Sequence, residues 1–399
     1  MNATGNTNAA VTASTNATTV TVNVSAYLPE GRQTPGRLAA VPLEVRARGE
    51  NELVLPEVTV RDERSLTLLD AHGTGDLLPA PLGGGGPGRD VEQDREARLF
   101  GLTNVAFHSQ RMLRTVAELL GHELPHLVIR IGTHESPRRW GGGHYRVTAG
   151  SYDPVEAGSV RPTGEVHLGG GSTFVPTAPD GEGYFAAPSH NLAIIYHEIG
   201  HHVCRHTADF RLNRLLPAAG QTNKKIPLDE GTCDFLAATL LDTPDIYGWH
   251  RAAIPTWDRR RRALAARWTM AGFEGGPSDP HVDGTIWASA CWTAREHVAA
   301  AGHGRSSFDR MLLRGLELSS APWTDSSRTD GLAGRAGEAR RTSLALKQRR
   351  YVANLLDAML RAEPELAVPV LAGMAEHGIR PGASNVELRR AASVTRLTF

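Results

Sequence analysis

Residues 196–202 read Tyr-His-Glu-Ile-Gly-His-His, and no other stretch of the chain restricts the fold as much. His197 and His201 are four positions apart. On an α-helix their imidazoles leave the same face one turn from each other and can grip one metal ion, with Glu198 beside them in reach of a water on that ion. The spacing carries this meaning only on a helix, and the neighbouring residues predict one. Ser189 or Asn191 can cap its start, while Leu192, Ile195 and Ile199 form an apolar stripe at helical spacing. Two histidines do not complete a metal site, so a further ligand has to come from elsewhere in the chain.

A structural zinc site closes four protein ligands, often with cysteine, whereas a catalytic one keeps three and leaves a position to water. Metzincins place Gly and His three and six positions after the second histidine. Here those positions hold Cys204 and Thr207, which excludes that pattern. A later segment, Leu228-Asp229-Glu230-Gly231-Thr232-Cys233-Asp234-Phe235, sets Glu230 and Asp234 on one helical face. A third, Pro280-His281-x-x-Gly284-x-Ile286-Trp287, stands ahead of a helical pattern near 284–300. Taken in this order, the three segments resemble the gluzincin metallopeptidases of the thermolysin and fungalysin type. The first is similar to that clan's His-Glu-x-Gly-His-His helix and the second to its Asn/Gly-Glu-x-x-x-Asp helix. The third resembles the segment whose histidine donates a hydrogen bond to the oxyanion of the tetrahedral intermediate. The likeness spans roughly residues 96 to 376 and is specific at these motifs.

The resemblance implies an α+β fold with a zincin-like, two-lobed catalytic domain over 96–399, its lobes falling at about 96–270 and 271–399. It implies one Zn2+ held by His197, His201 and Glu230, with Asp234 accepting the free ring N–H of a ligand histidine. Peptide-bond hydrolysis would follow. Zinc acidifies a water, Glu198 takes its proton and delivers it to the leaving amine, and His281 stabilises the developing oxyanion. The partner would be a peptide or protein substrate. Ala149-Gly150-Ser151-Tyr152 resembles the edge strand against which such enzymes lay an extended chain.

The departures narrow the reading. No tyrosine lies between His201 and Glu230, where thermolysin-like enzymes carry a second oxyanion donor; Tyr247 or a backbone group could substitute, and the sequence leaves that role unassigned. The Gly-x-Met-Glu-Asn motif of aminopeptidase relatives is missing, which favours an endopeptidase. The same residues also suit a leader-type biosynthetic peptidase of narrow specificity, or a catalytically degenerate binding protein on a metallopeptidase fold.

Around these motifs the chain divides by composition. Residues 1–19 form an Asn/Thr/Ala tract too polar to fold, 20–82 read as a small β domain, and Gly-rich 83–95 as a linker. Helices are predicted over 94–120, 191–206, 229–241, 258–270, 284–300, 306–318 and 343–376, with strands near 126–131, 144–148 and 165–168. Lys+Arg and Asp+Glu both total 43, and that balance gives no footprint for nucleic acid or an anionic membrane. No apolar run approaches a membrane span, and no apolar segment of a secretory signal follows Met1, so the expected compartment is the cytoplasm. Three cysteines, Cys204, Cys233 and Cys291, are too few for a disulfide scaffold and read as buried packing. Arg259 to Arg262 reads as a solvated helix face.

Overall fold

The structure is a computed structural model that describes residues 19–29, 36–64, 67–81, 94–133, 141–148, 160–170, 174–176, 183–185, 187–210, 225–247, 262–273, 280–320 and 352–381. Its architecture is mixed α+β. Strands β1 (Val20–Leu28) and β2 (Arg37–Val45) form an antiparallel pair. Strands β3 (Ala47–Arg48), β4 (Glu52–Val54), β5 (Val58–Asp62), β6 (Leu127–Thr133), β7 (Gly143–Thr148) and β8 (Val160–Gly169) make one six-stranded sheet in the order β3-β4-β5-β6-β8-β7. In it β5, β6 and β8 run parallel, and β7 closes one edge antiparallel to β8. Strands β9 (Phe174–Pro176) and β10 (Gly183–Phe185) pair separately.

This topology corrects the expected small β domain over 20–82. Its described strands β3 to β5 belong to the same sheet as β6 to β8, with Val58 opposite Leu127. Within that stretch Pro56 separates β4 from β5, with Leu55 N–H donating to the Val58 carbonyl in the turn, and residues 67–69 form no strand. Local β patterning reports strands but not their partners, and only the parallel pairing across the long α1 connection reveals that the unit is shared. The linker expected at 83–95 lies largely outside the described residues.

Helix α1 (Arg95–Leu120) starts at Asp94, whose carboxylate accepts from Ala97 N–H, and ends at Gly121 in the left-handed conformation. It lies between the β1–β2 hairpin and α2 (Leu192–His206). Asn104 ties both sides, accepting from Tyr27 N–H at 3.0 Å and donating to Ser189 C=O at 2.9 Å. Four further helices follow α3 (Pro227–Leu241): α4 (Pro280–Ala300), α5 (Arg305–Ser320), α6 (352–362) and α7 (Ala367–Glu376). The single helix expected over 343–376 is broken at Pro364, as a proline lacking its N–H demands. The helix expected at 258–270 is contradicted over the described 262–269, which are turns and a β-bridge. One continuous apolar core joins the sheet, α1, α2 and the later helices, so α3 packs on α2 before the expected lobe boundary and on α4 beyond it. None of the described helices is long and apolar enough to cross a membrane.

Candidate metal centre

Helix α2 is held in place before it presents anything. Asn191, rather than Ser189, caps it, accepting from the N–H groups of Ala193 and Ile194, and such a cap is worth about 1 kcal/mol. Leu192, Ile195 and Ile199 are buried as the apolar stripe predicts, each contributing roughly 1.5–3 kcal/mol. Tyr196 anchors the turn before His197. Its hydroxyl meets His108 Nδ1 at 2.5 Å, and His108 Nε2 in turn meets the Tyr27 carbonyl at 2.7 Å. Burial drives the His108 pKa down to about 3, so this imidazole is neutral and can accept at one nitrogen while donating at the other.

Helix α2 meets α3 at close range, because a Cβ on Gly200 would stand 2.9 Å from Cys233 Cα. Helix α3 meets α4 the same way. A Cβ on Gly231 would lie 2.2 Å from the Gly284 carbonyl oxygen, and one on Gly284 would lie 2.6 Å from the Pro227 carbonyl oxygen. Trp287 locks this crossing by donating its indole N–H to Thr232 Oγ1 at 3.1 Å. The glycines therefore let three helices approach closely enough for short side chains to converge.

What converges is a set of imidazoles around one carboxylate. Glu230 Oε2 lies 3.1 Å from His197 Nε2, 3.5 Å from His201 Nε2 and 3.0 Å from His281 Nε2. Glu230 is fully buried, whereas the His281 side chain is 17% exposed and marks the side open to solvent. The other ring nitrogens are also held. His197 Nδ1 lies 2.8 Å from Asp234 Oδ1, and His201 Nδ1 lies 3.0 Å from Asp229 Oδ1. A carboxylate at Nδ1 fixes the ring and leaves Nε2 to bind a metal. His197, Glu230 and His281 are one group whose ligand atoms lie within 4.8 Å of one another.

The electrostatics suit a cation. Burial opposes the charged form of His201, but the Asp229 and Glu230 carboxylates outweigh it and hold the pKa well above the imidazole range. Burial likewise opposes ionisation of Glu230, yet the charge on His201 and hydrogen bonds from His197, His201 and His281 hold it well below the carboxylate range. A positive charge is thus stabilised among these groups even when only a proton supplies it. Two buried carboxylate oxygens, Glu230 Oε1 and Glu198 Oε2, have no hydrogen-bond partner among the described residues. Orphaned acceptors beside three imidazoles fit a bound cation and its water better than an apolar packing site.

Glu198 lies against the sheet edge. Its Oε2 is 4.0 Å from His201 Nε2, and a Cβ on Gly143 would stand 2.6 Å from its Cγ and 2.9 Å from its Oε1. Strand β7 therefore runs past the site with a glycine at the contact. The expected edge-strand residues Ala149, Gly150, Ser151 and Tyr152 follow β7 directly but lie outside the described residues. His281 is in the first turn of α4 rather than ahead of the helix, since the helix begins at Pro280. Lys225 Nζ stands 3.5 Å from its Nε2.

Several residues escaped the motif reading. Asp229 falls in the Glu230 segment, where spacing alone assigns it no role, and Gly143 is marked only by a run of three glycines. Arg262, expected on a solvated helix face, instead forks onto Asp234, with Nη2 2.5 Å from Oδ1 and Nε 2.9 Å from Oδ2. Its guanidinium lies 4.7 Å above the Tyr247 ring. Tyr247, considered for the second oxyanion donor, is buried beneath Arg262, and burial raises its phenol pKa. His202 turns away and meets the Pro125 carbonyl at 2.8 Å. Cys204, Cys233 and Cys291 are free and buried, as packing predicts, although Cys233 Sγ reaches to 3.3 Å from His201 Nδ1. No protein-family model matches the chain, and no curated protein matches it significantly.

Proposed function

We propose that the chain is a zinc metallopeptidase of zincin-like fold, in which His197, His201 and Glu230 hold the ion and Glu198 moves the proton. The observation that carries this reading is the convergence of imidazole Nε2 atoms on Glu230 Oε2 while Asp234 and Asp229 occupy the Nδ1 positions. The bound ion supplies Lewis-acid polarisation of the scissile carbonyl and lowers the pKa of water to about 7. Glu198, buried and with one oxygen unpartnered, accepts the proton of the attacking water and returns it to the departing amine. His281, on the solvent side, donates from Nε2 to the developing oxyanion. Gly143, by lacking a side chain, leaves the Glu198 carboxylate room to lie against β7.

A second reading has its own support. His281 Nε2 is as close to Glu230 Oε2 as His197 Nε2 is, which also suits a closed shell of three histidines and one glutamate. Such a shell is structural, and the protein would then be a binding module. Replacing His281 by Gln separates the two. As oxyanion donor, its loss lowers kcat on an unstructured protein such as casein by roughly 10²–10³-fold and leaves zinc stoichiometric. As a ligand, its loss releases zinc.

A further inference from the structure

Lys225 reaches the open side of the site from the start of α3. Pro227 is the first residue of that helix, and a residue before proline is pushed out of the helical region, so Ile226 is extended at φ −132°, ψ 129° and carries the chain off the helix. The helix start is pinned against α4, where a Cβ on Gly284 would stand 2.6 Å from the Pro227 carbonyl oxygen. The crossing that places His281 therefore also places Lys225, whose Nζ stands 3.5 Å from His281 Nε2. Lys225 is exposed and forms no ion pair among the described residues.

Both nitrogens are donors. An ammonium has no lone pair to accept with, and His281 Nε2 faces the Glu230 carboxylate, an acceptor, at 3.0 Å. Donors 3.5 Å apart do not satisfy each other, yet one oxygen about 2.9 Å from each fits between them. Tyr247 is buried beneath Arg262, whereas Lys225 is open to an entering peptide. The geometry points to Lys225 as the second oxyanion donor, a catalytic residue paired with His281; the assignment rests on the metallopeptidase reading above. As the water oxygen bonds to the carbonyl carbon, the C=O π pair moves onto the carbonyl oxygen and Glu198 takes the water's proton. The new negative charge lies between His281 Nε2–H and the Lys225 ammonium, which keeps its own protons throughout. The uncharged carbonyl of the bound substrate gains less from an ammonium than the oxyanion does, so the contact acts on kcat rather than on KM.

Lys225→Met keeps the length of the side chain and removes its donors. On an uncharged peptide capped at both ends, kcat should fall roughly 10²-fold with KM, bound zinc and melting temperature unchanged, and Lys225→Arg should recover part of the loss. Calorimetric binding gives a readout apart from turnover. A phosphonate peptide, whose tetrahedral anion mimics the oxyanion, should lose affinity for Lys225→Met by about the same factor, whereas the uncleaved peptide should bind Glu198→Gln and Glu198→Gln/Lys225→Met alike. Unchanged kcat and phosphonate affinity overturn the assignment. So does a rise in KM confined to peptides with acidic side chains or a free carboxylate, which makes Lys225 an anchor for substrate charge. Wild type without zinc, or zinc-loaded wild type that cleaves nothing, removes the metallopeptidase reading and the assignment with it; an active, zinc-loaded wild type matched by Lys225→Met removes the assignment alone.

Discussion

At the scale of single residues, each atom around Glu230 has a separable duty. Replacing Asp234 by Asn removes the charge that orients His197, and zinc affinity should fall 10- to 100-fold by chelator competition; the melting temperature of the stripped protein should fall as well, because Arg262 loses its buried carboxylate partner. Gly143→Ala drives a methyl group to within 3 Å of the Glu198 carboxylate, so kcat should drop with zinc still stoichiometric, as atomic absorption would check. The residues legible in the sequence were those whose spacing encodes geometry. His197, His201, Glu230 and Asp234 are each one helical turn from a partner, and a turn is local. Arg262 and Gly143 were not legible, because each meets the site from a segment whose approach is decided by tertiary packing alone. Asp229 lay in the quoted segment, yet its role needed the distance to His201 before it could be seen.

At the scale of elements, the site depends on how closely α2, α3 and α4 approach. Gly284→Ala would push its methyl group into the Pro227 carbonyl and the Gly231 backbone, destabilising the α3–α4 crossing by roughly 1–3 kcal/mol and drawing His281 away from Glu230. Thermal unfolding and zinc affinity together read that displacement. The support behind α2 gives a pH dependence of definite sign. His108 and His190 are buried neutral, with burial lowering their pKa values to about 3 and about 4. Their folded pKa values are below the unfolded value, so their contribution is full above pH 6.5 and is lost as pH falls toward 4. The slope is about 1.4 kcal/mol per pH unit for each. Urea midpoints measured from pH 7 down to 5 should decline, and His108→Gln should decline less steeply. The helices were legible through periodicity and caps, α1 from Asp94 to Gly121 above all. Where they were not, a proline at 364 or a chain bend at 262 broke a pattern that composition alone made continuous.

At the scale of the whole molecule, the sheet and the helical layer form one core, with the proposed metal-binding groups beside it and β7 last in the strand order of the sheet. The separate β unit read from residues 20–82 was a reading of strands without partners. Val58 pairs with Leu127 across a long connection, and no local signal carries that pairing. In the proposed metallopeptidase the ligands come from α2 and α3, so removing the ion would loosen a junction rather than a surface loop. EDTA should lower the melting temperature, and zinc at about 1,000 times its Kd should restore about 4 kcal/mol. The most direct measurement compares wild type with Glu198→Gln for bound zinc and for cleavage of casein in the same preparations. One zinc per chain in both proteins, with cleavage by wild type alone, is the predicted result; equal cleavage by both, or no cleavage by a zinc-loaded wild type, contradicts it.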